Sequence, residues 1–282
     1  MNILVVGADT KGSWAMRGVQ LGGEIGARVT VKPNALDWAW AEIVVLVKRA
    51  AVRWGAQAQR AGVPVVWDVL DFWAQPEENG LSRDEMIAKV KWIQQQAGVT
   101  ALIGATRAMA ADIGGVYLPH HCRLWLQPAP IRVAAAVVAY EGQRKYLGRW
   151  AKALESSCAA LGLRFVVNPH DIREADVLVS FREGRWDGWA CRQWKSGIKH
   201  VNAMVAGRPI VCQASAAWDD FRPVGMFIDN IEALTEALRL SLLPEVREEA
   251  YEYACRTAVT YQLSAVALEY ADILRQVARR AA

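Results

Sequence analysis

Metal and disulfide chemistry have little to work with in this sequence. It holds four histidines and five cysteines in 282 residues. The cysteines, at 122, 158, 191, 212 and 255, form no C-x-x-C pair. That pattern predicts reduced thiols and a cytoplasmic setting. His120 and His121 adjoin, but neighbours on a strand or loop rarely chelate one ion together, so no metal site is expected. No uncharged apolar run reaches about 18 residues, which predicts no membrane span. The opening Met1–Gly7 has no basic leader and a short apolar run, which predicts no signal peptide. There is no G-x-G-x-x-G and no Gly-Lys-Ser or Gly-Lys-Thr after a glycine loop, which argues against a nicotinamide site at Gly7 and against a P-loop. No repeat of short period and no dense basic cluster occurs. The 33 Lys and Arg and 29 Asp and Glu, net charge +4, are spread through both halves. A nucleic-acid partner is permitted and not required.

Hydrophobic residues make up 53% of the chain, enough for two cores. Apolar runs of strand length fall at Ile3–Val6, Val29–Val31, Ile43–Val47, Val63–Trp67, Ala101–Ile103 and Val116–Leu118. Helix-like segments lie between them, roughly at 13–23, 50–61, 83–97 and 106–112. Continuous apolar strands alternating with helices predict a parallel sheet covered on both faces. Pro119, Pro128 and Pro130 mark residues 119–132 as a connection, since proline resists helix. The pattern then restarts. Strands are expected at Val133–Ala139, Arg164–Val167, Asp176–Ser180, Pro209–Cys212 and Met226–Ile228, and helices at 143–161, 231–242 and 245–279. In the last, Val266, Tyr270, Ile273 and Val277 recur on one face. The expected organisation is 1–125, 126–262 and a final helix, 263–282, packing back towards the first domain.

Several side chains point to ligand chemistry. Lys195, Lys199 and Asn202 are spaced i, i+4, i+7 in a segment that reads as a helix. Two lysines on one packed face call for an anion such as a nucleoside diphosphate, or else form a solvated face. Arg182 follows the strand ending at Ser180, where it is placed to clamp a diphosphate or to pair with Glu183. Tyr140-Glu141-Gly142 ends a strand, and a helix N-terminus beginning near Gln143 would attract phosphate. A plain glycine turn is the alternative. The first loop, Gly7 to Gly12, has the same character, with Gly12 a cleft candidate. Thirteen tryptophans is a high count. Trp186, Trp189 and Trp194 either line a cleft or belong to a core.

The run Ala175-Asp-Val-Leu-Val-Ser180, with Lys195, Lys199 and Asn202-Ala-Met-Val-Ala-Gly-Arg-Pro-Ile-Val211, resembles the donor-binding half of glycosyltransferases of the GT-B fold. The similarity is specific over about residues 133–240 and architectural over 1–130. It implies two Rossmann-like parallel-sheet domains facing across a cleft, with a C-terminal helix returning to the first. It implies donor contacts from Tyr140, Glu141, Gly142, Arg182, Lys195, Ser196, Lys199 and Asn202. It also implies a nucleotide-sugar such as a UDP-sugar as donor, and no cofactor or metal. Many retaining members carry two glutamates eight apart on the donor helix. Trp194 and Asn202 stand there in this sequence, so neither stereochemistry nor those sugar contacts carry over. The lysines are similar to those of smaller members, including phage-type enzymes that glycosylate DNA bases. The acceptor is then a hydroxylated base in DNA or a small hydroxylated molecule. Such transfer needs a base near the attacking oxygen. Asp68 and Asp71, running off the fourth strand, and Asp9 on the first loop are the candidates, each with a capping or turn role as the alternative. His120 is a further candidate for substrate contact. A GT-B-shaped module that binds nucleotide or nucleic acid without catalysis is the competing reading.

Overall fold

Strands that are apolar on both sides cannot leave a face to water, and β1 (Ile3–Val6), β3 (Ile43–Val47) and β4 (Val65–Asp68) are buried throughout. With β2 (Arg28–Thr30), β5 (Ala101–Gly104) and β6 (Val116–Tyr117) they form a parallel six-stranded sheet in the order β2-β1-β3-β4-β5-β6. The computed structural model describes residues 1–10, 12–221 and 224–281. A second parallel sheet contains β7 (Val137–Tyr140), β8 (Arg164–Val167), β9 (Val177–Ser180), β10 (Ile210–Cys212) and β11 (Gly225–Phe227), in the order β11-β10-β9-β7-β8. In both sheets the strand order reverses beside the first strand: between β1 and β3, and between β7 and β9. Ligands of such sheets bind at the carboxyl ends of the strands flanking this reversal.

The chain divides into two compact units. The first comprises residues 1–121, 189–196 and 262–282; the second comprises 122–188 and 197–261. The boundary falls after His121, where residue 125 was expected, and a second difference is larger. The eight residues from Trp189 to Ser196 belong to the first unit, although the residues on either side belong to the second. Trp194 anchors them. It is fully buried in the core of the first sheet, and its indole N–H donates to Asp112 at 2.8 Å. Thr106 Oγ1 donates to the Gln193 carbonyl at 2.9 Å. Trp194 is therefore a core residue and Trp189 packs, partly buried, against that core, with the two rings 5.6 Å apart edge to face.

The carboxyl-terminal stretch is not one helix. Pro244–Thr257 is helical, a 3-10 turn spans Ala258–Tyr261, and Leu263–Ala281 forms the last helix. Thr257, Val259 and Thr260 are β-branched and favour helix weakly, and the break falls where the chain passes to the first unit. The final helix packs on the first sheet through Val266, Ala267, Tyr270 and Leu274, so the periodicity identified its inward face. The helix Ala35–Trp40 was not anticipated. Its signal was Asn34 with Asp37, a reciprocal capping box. The second unit's first strand starts at Val137 and not at Val133. The Asp176 carboxylate takes the amides of Ala136 and Val137 at 2.8 and 2.9 Å, which sets where pairing begins.

Candidate functional site

In the first unit the loops after β1 and β3 meet at the strand reversal. Gly7 is required there, but for packing. A Cβ at Gly7 would lie 2.4 Å from the Trp14 ring, and one at Gly18 would lie 2.2 Å from it. The glycine thus admits a tryptophan, where a close approach to ligand was expected. Gly12 opens the following helix with nothing near the place of a Cβ, so space does not demand glycine at that position. Lys11, within the same loop, lies outside the described residues. Asp9 is exposed in this loop.

The other two candidate carboxylates are committed to internal charge pairs. Asp68 is fully buried at the end of β4, with Arg17 Nε 3.5 Å from Oδ2. Arg17 is equally buried, on a π-helical stretch over Ala15–Gln20, and also donates to the Leu118 carbonyl at 2.5 Å. Burial pushes the Asp68 carboxyl up, and Arg17 offsets part of that. Such a group has no access to an acceptor, which corrects its expected place at an open sheet edge. Asp71 accepts from Ser13 Oγ at 3.2 Å and Gln75 Nε2 at 3.2 Å, and pairs with Lys48 at 3.1 Å and Lys195 at 2.8 Å. Burial opposes its charge, but Lys195 and Lys48 outweigh it and hold the carboxyl well below the usual range. A carboxylate so stabilised is a poor proton acceptor. His120 is 4% exposed and held neutral, by burial first and by Arg17 next. Its surroundings belong to this same buried cluster.

Lys195 is the largest correction. It lies in a bend, not on a helix, and with Ser196 it is part of the first unit. The helix begins at Ile198, after Gly197. A Cβ at Gly197 would lie 2.3 Å from the Phe221 ring. The i, i+4, i+7 face therefore never forms, because Lys195 and Ser196 precede the helix that carries Lys199.

In the second unit, Tyr140 ends β7 at the strand reversal, fully buried, with its hydroxyl pushed up to about 12 by burial. Lys199 Nζ stands 4.1 Å from the centre of its ring. The Arg182 charge also acts on the Tyr140 hydroxyl. Arg182 follows β9, its amide donating to Gln213 Oε1 at 2.8 Å and its guanidinium 4.9 Å from the Tyr146 ring. Two cations from separate elements thus converge on Tyr140. Lys145, 5.1 Å from the Trp186 ring, adds a third near Tyr146, which packs on Trp186 at 4.7 Å. Sequence reasoning missed Lys145. Its position just past the Gly142 turn was the available signal.

The expected helix N-terminus after Gly142 is already occupied. A 3-10 turn spans Arg144–Tyr146, and the helix starts at Arg149. Glu183 accepts from the Arg149 amide and from its Nε, each at 2.5 Å. A built-in carboxylate therefore caps that helix, and Glu183 pairs with Arg149, not Arg182. Gly142, at φ 134°, needs glycine, but its amide donates to Asn168 Oδ1 at 2.7 Å. Glu141 and Asn202 serve each other. Asn202 Nδ2 donates to Glu141 at 3.0 Å, its Oδ1 accepts from the Arg123 amide at 3.0 Å, and Arg123 pairs with Glu141 at 2.6 Å. Asn202 is 3% exposed, so this network replaces the ligand contact expected of it.

His200, on the opposite side of the same helix, is buried, and burial with the Lys199 charge lowers it to about 3. The unfolded chain takes up a proton near pH 6.5 that the folded chain refuses until about pH 3. Stability from this group is complete above the unfolded value and drains as pH falls through that window, by about 1.4 kcal/mol per unit. Urea unfolding of the second unit should lose about 2 kcal/mol between pH 6.5 and 5 from this source. His200→Met should flatten that slope; an unchanged slope would refute the assignment.

Among the described residues no group of three or more His, Cys, Asp or Glu is placed to hold a metal ion. No helix among them is long and apolar enough to cross a membrane.

These features define the GT-B fold: two Rossmann-like parallel-sheet units, with the C-terminal helix returned to the first. Solved structures of similar fold include a trehalose-6-phosphate synthase, OtsA, at TM-score 0.67 and 8% identity, covering 98% of this chain and 99% of that one. AviGT4, a glycosyltransferase involved in avilamycin A biosynthesis, matches at 0.57 and 13% identity, covering 99% and 98%. A chain of the GtfA/B complex matches at 0.57 and 12% identity over 84% of this chain, which spans 57% of that one. No protein-family model matches the sequence, and no curated protein is detectably similar to it.

Proposed function

We propose that this chain is a glycosyltransferase that uses a nucleoside-diphosphate sugar. The observation that carries the reading is the convergence of Arg182 and Lys199 on Tyr140, at the strand reversal of a GT-B second unit. Cations at that place offset the charge that grows on a leaving diphosphate. In the step, the acceptor oxygen bonds to the anomeric carbon, the bond from that carbon to the diphosphate breaks, and the acceptor's proton passes to a base. Asp9 takes the role of base: it is exposed on the loop after β1 at the first unit's strand reversal, whereas Asp68 is fully buried and the Asp71 carboxyl is held well below the usual range. The acceptor is a small hydroxylated molecule or a hydroxylated DNA base.

Calorimetric titration with UDP, GDP and dTDP tests the donor half. One of them should bind, and Lys199→Ala and Arg182→Ala should each weaken it roughly 10- to 100-fold, the value of a charge-assisted hydrogen bond. Equal binding by both variants would remove the role. The commitment of Asp68 and Asp71 favours a second reading, a binding module without transfer. That reading predicts nucleotide binding with no turnover on any acceptor.

A further inference from the structure

A cavity of about 510 Å³ opens in the first unit beside its strand reversal. This is within the usual range for small-molecule sites. Ala8 and Asp9, after β1, and Arg49, after β3, form one end. Val52, Phe72, Trp92 and Ile93 form the walls.

Two of these walls are out of place for a surface. Val52 and Trp92 are 62% and 59% exposed on the helices Ala50–Arg60 and Arg83–Gln96. The neighbouring outward positions carry Arg53, Gln57, Lys91, Gln94 and Gln95, as an outer face should. A single exposed apolar residue is ordinary, but two that face one cavity lined by Phe72 and Ile93 form a continuous apolar surface.

The three basic side chains at the cavity, and Glu78, are already bound to protein. Arg49 donates to the carbonyls of Phe72 and Trp73 at 3.1 and 3.0 Å. Arg53 donates to the Ala8 carbonyl at 2.8 Å. Lys89 pairs with Glu78 at 2.5 Å. A phosphate backbone or a sugar would need those donors and acceptors for itself, since polar groups enter such a site only when hydrogen-bonded. A flat ring needs only the apolar walls.

We propose that this cavity takes a flat aromatic molecule carrying a hydroxyl, with the hydroxyl at the Asp9 end. As an identification of the acceptor class, this rests on the transferase reading; as a binding site, it does not. The test is titration of the phenol 4-methylumbelliferone into the full chain without nucleotide, beside cellobiose and a single-stranded oligonucleotide containing 5-hydroxymethylcytosine. The phenol should bind saturably, and Val52→Asp and Trp92→Ala should each weaken it roughly tenfold or more. Cellobiose and the oligonucleotide should not displace it. Both positions are exposed, so melting temperatures should hold. No phenol binding, equal binding by both variants, or displacement by either competitor would overturn the proposal. Nucleoside diphosphate binding is measured on the same samples. Phenol binding without nucleotide binding would sink the transferase reading and leave the cavity assignment standing. Nucleotide binding without phenol binding would do the reverse.

Discussion

Replacing Arg208 with methionine should cost the second unit about 3–5 kcal/mol, since several buried carbonyls lose their donor at about 1–3 kcal/mol each and relaxation recovers part of the sum. Arg208 is 4% exposed and reaches five main-chain carbonyl contacts. Nε donates to Ala175 at 2.7 Å. One terminal nitrogen donates to Ala129 and Gly207 at 2.7 and 3.0 Å, and the other to Arg173 and Pro130 at 2.8 and 3.2 Å. Three separate segments, around 129–130, 173–175 and 207, are joined through one planar group. Burial lowers the guanidinium's affinity for its proton, with the Asp176 charge nearby acting the other way. Methionine fills much of the volume and leaves those carbonyls without a donor in a site closed to water, which is the costly half of the change. Arg208→Lys keeps the charge but offers three donors from one point, so it should recover only part of the loss. Urea unfolding followed by far-UV circular dichroism measures both variants. A loss under about 1 kcal/mol for methionine, the size of one ordinary net hydrogen bond, would show that the staple matters little.

Asp9→Asn should lower kcat roughly 10²- to 10⁴-fold, the usual contribution of a positioned general base. Nucleoside diphosphate affinity should be unchanged, because Arg182 and Lys199 belong to the other unit. The substitution is nearly isosteric on an exposed loop, so the fold should be unaffected. Initial rates at saturating donor and acceptor, with donor affinity from calorimetry, separate the two quantities. A wild-type rate in the variant would exclude Asp9 and turn attention to the buried His120. Binding without turnover in the wild type would favour the non-catalytic module.

The strands of both sheets were legible because a strand covered on both faces must be apolar at every position. Ile43–Val47 satisfies that locally and was located to the residue. The final helix was legible on its packed face, because Val266 and Tyr270 recur with the helical period. Less of the site was legible. Lys195 and Lys199 are four apart, and a local rule puts them on one face. The helix begins only at Ile198, after Gly197, where Phe221, remote in sequence, leaves no room for a Cβ. Asp68 and Asp71 stand three apart on the same run, and nothing in their neighbours distinguishes a carboxylate locked to Arg17 from one locked to Lys48 and Lys195. Arg208 sits inside a motif whose Gly and Pro read as a turn, while its five carbonyl contacts come mostly from residues far along the chain.

From residue order alone came the doubly wound class, the two sheets and the inward face of the last helix, since periodicity and apolar runs act over a few residues. Which charges face each other was settled only by the folded chain. Coulomb and hydrogen-bond partners are chosen by distance in space, and for Lys195 and Asp71 that partner lay more than a hundred residues away.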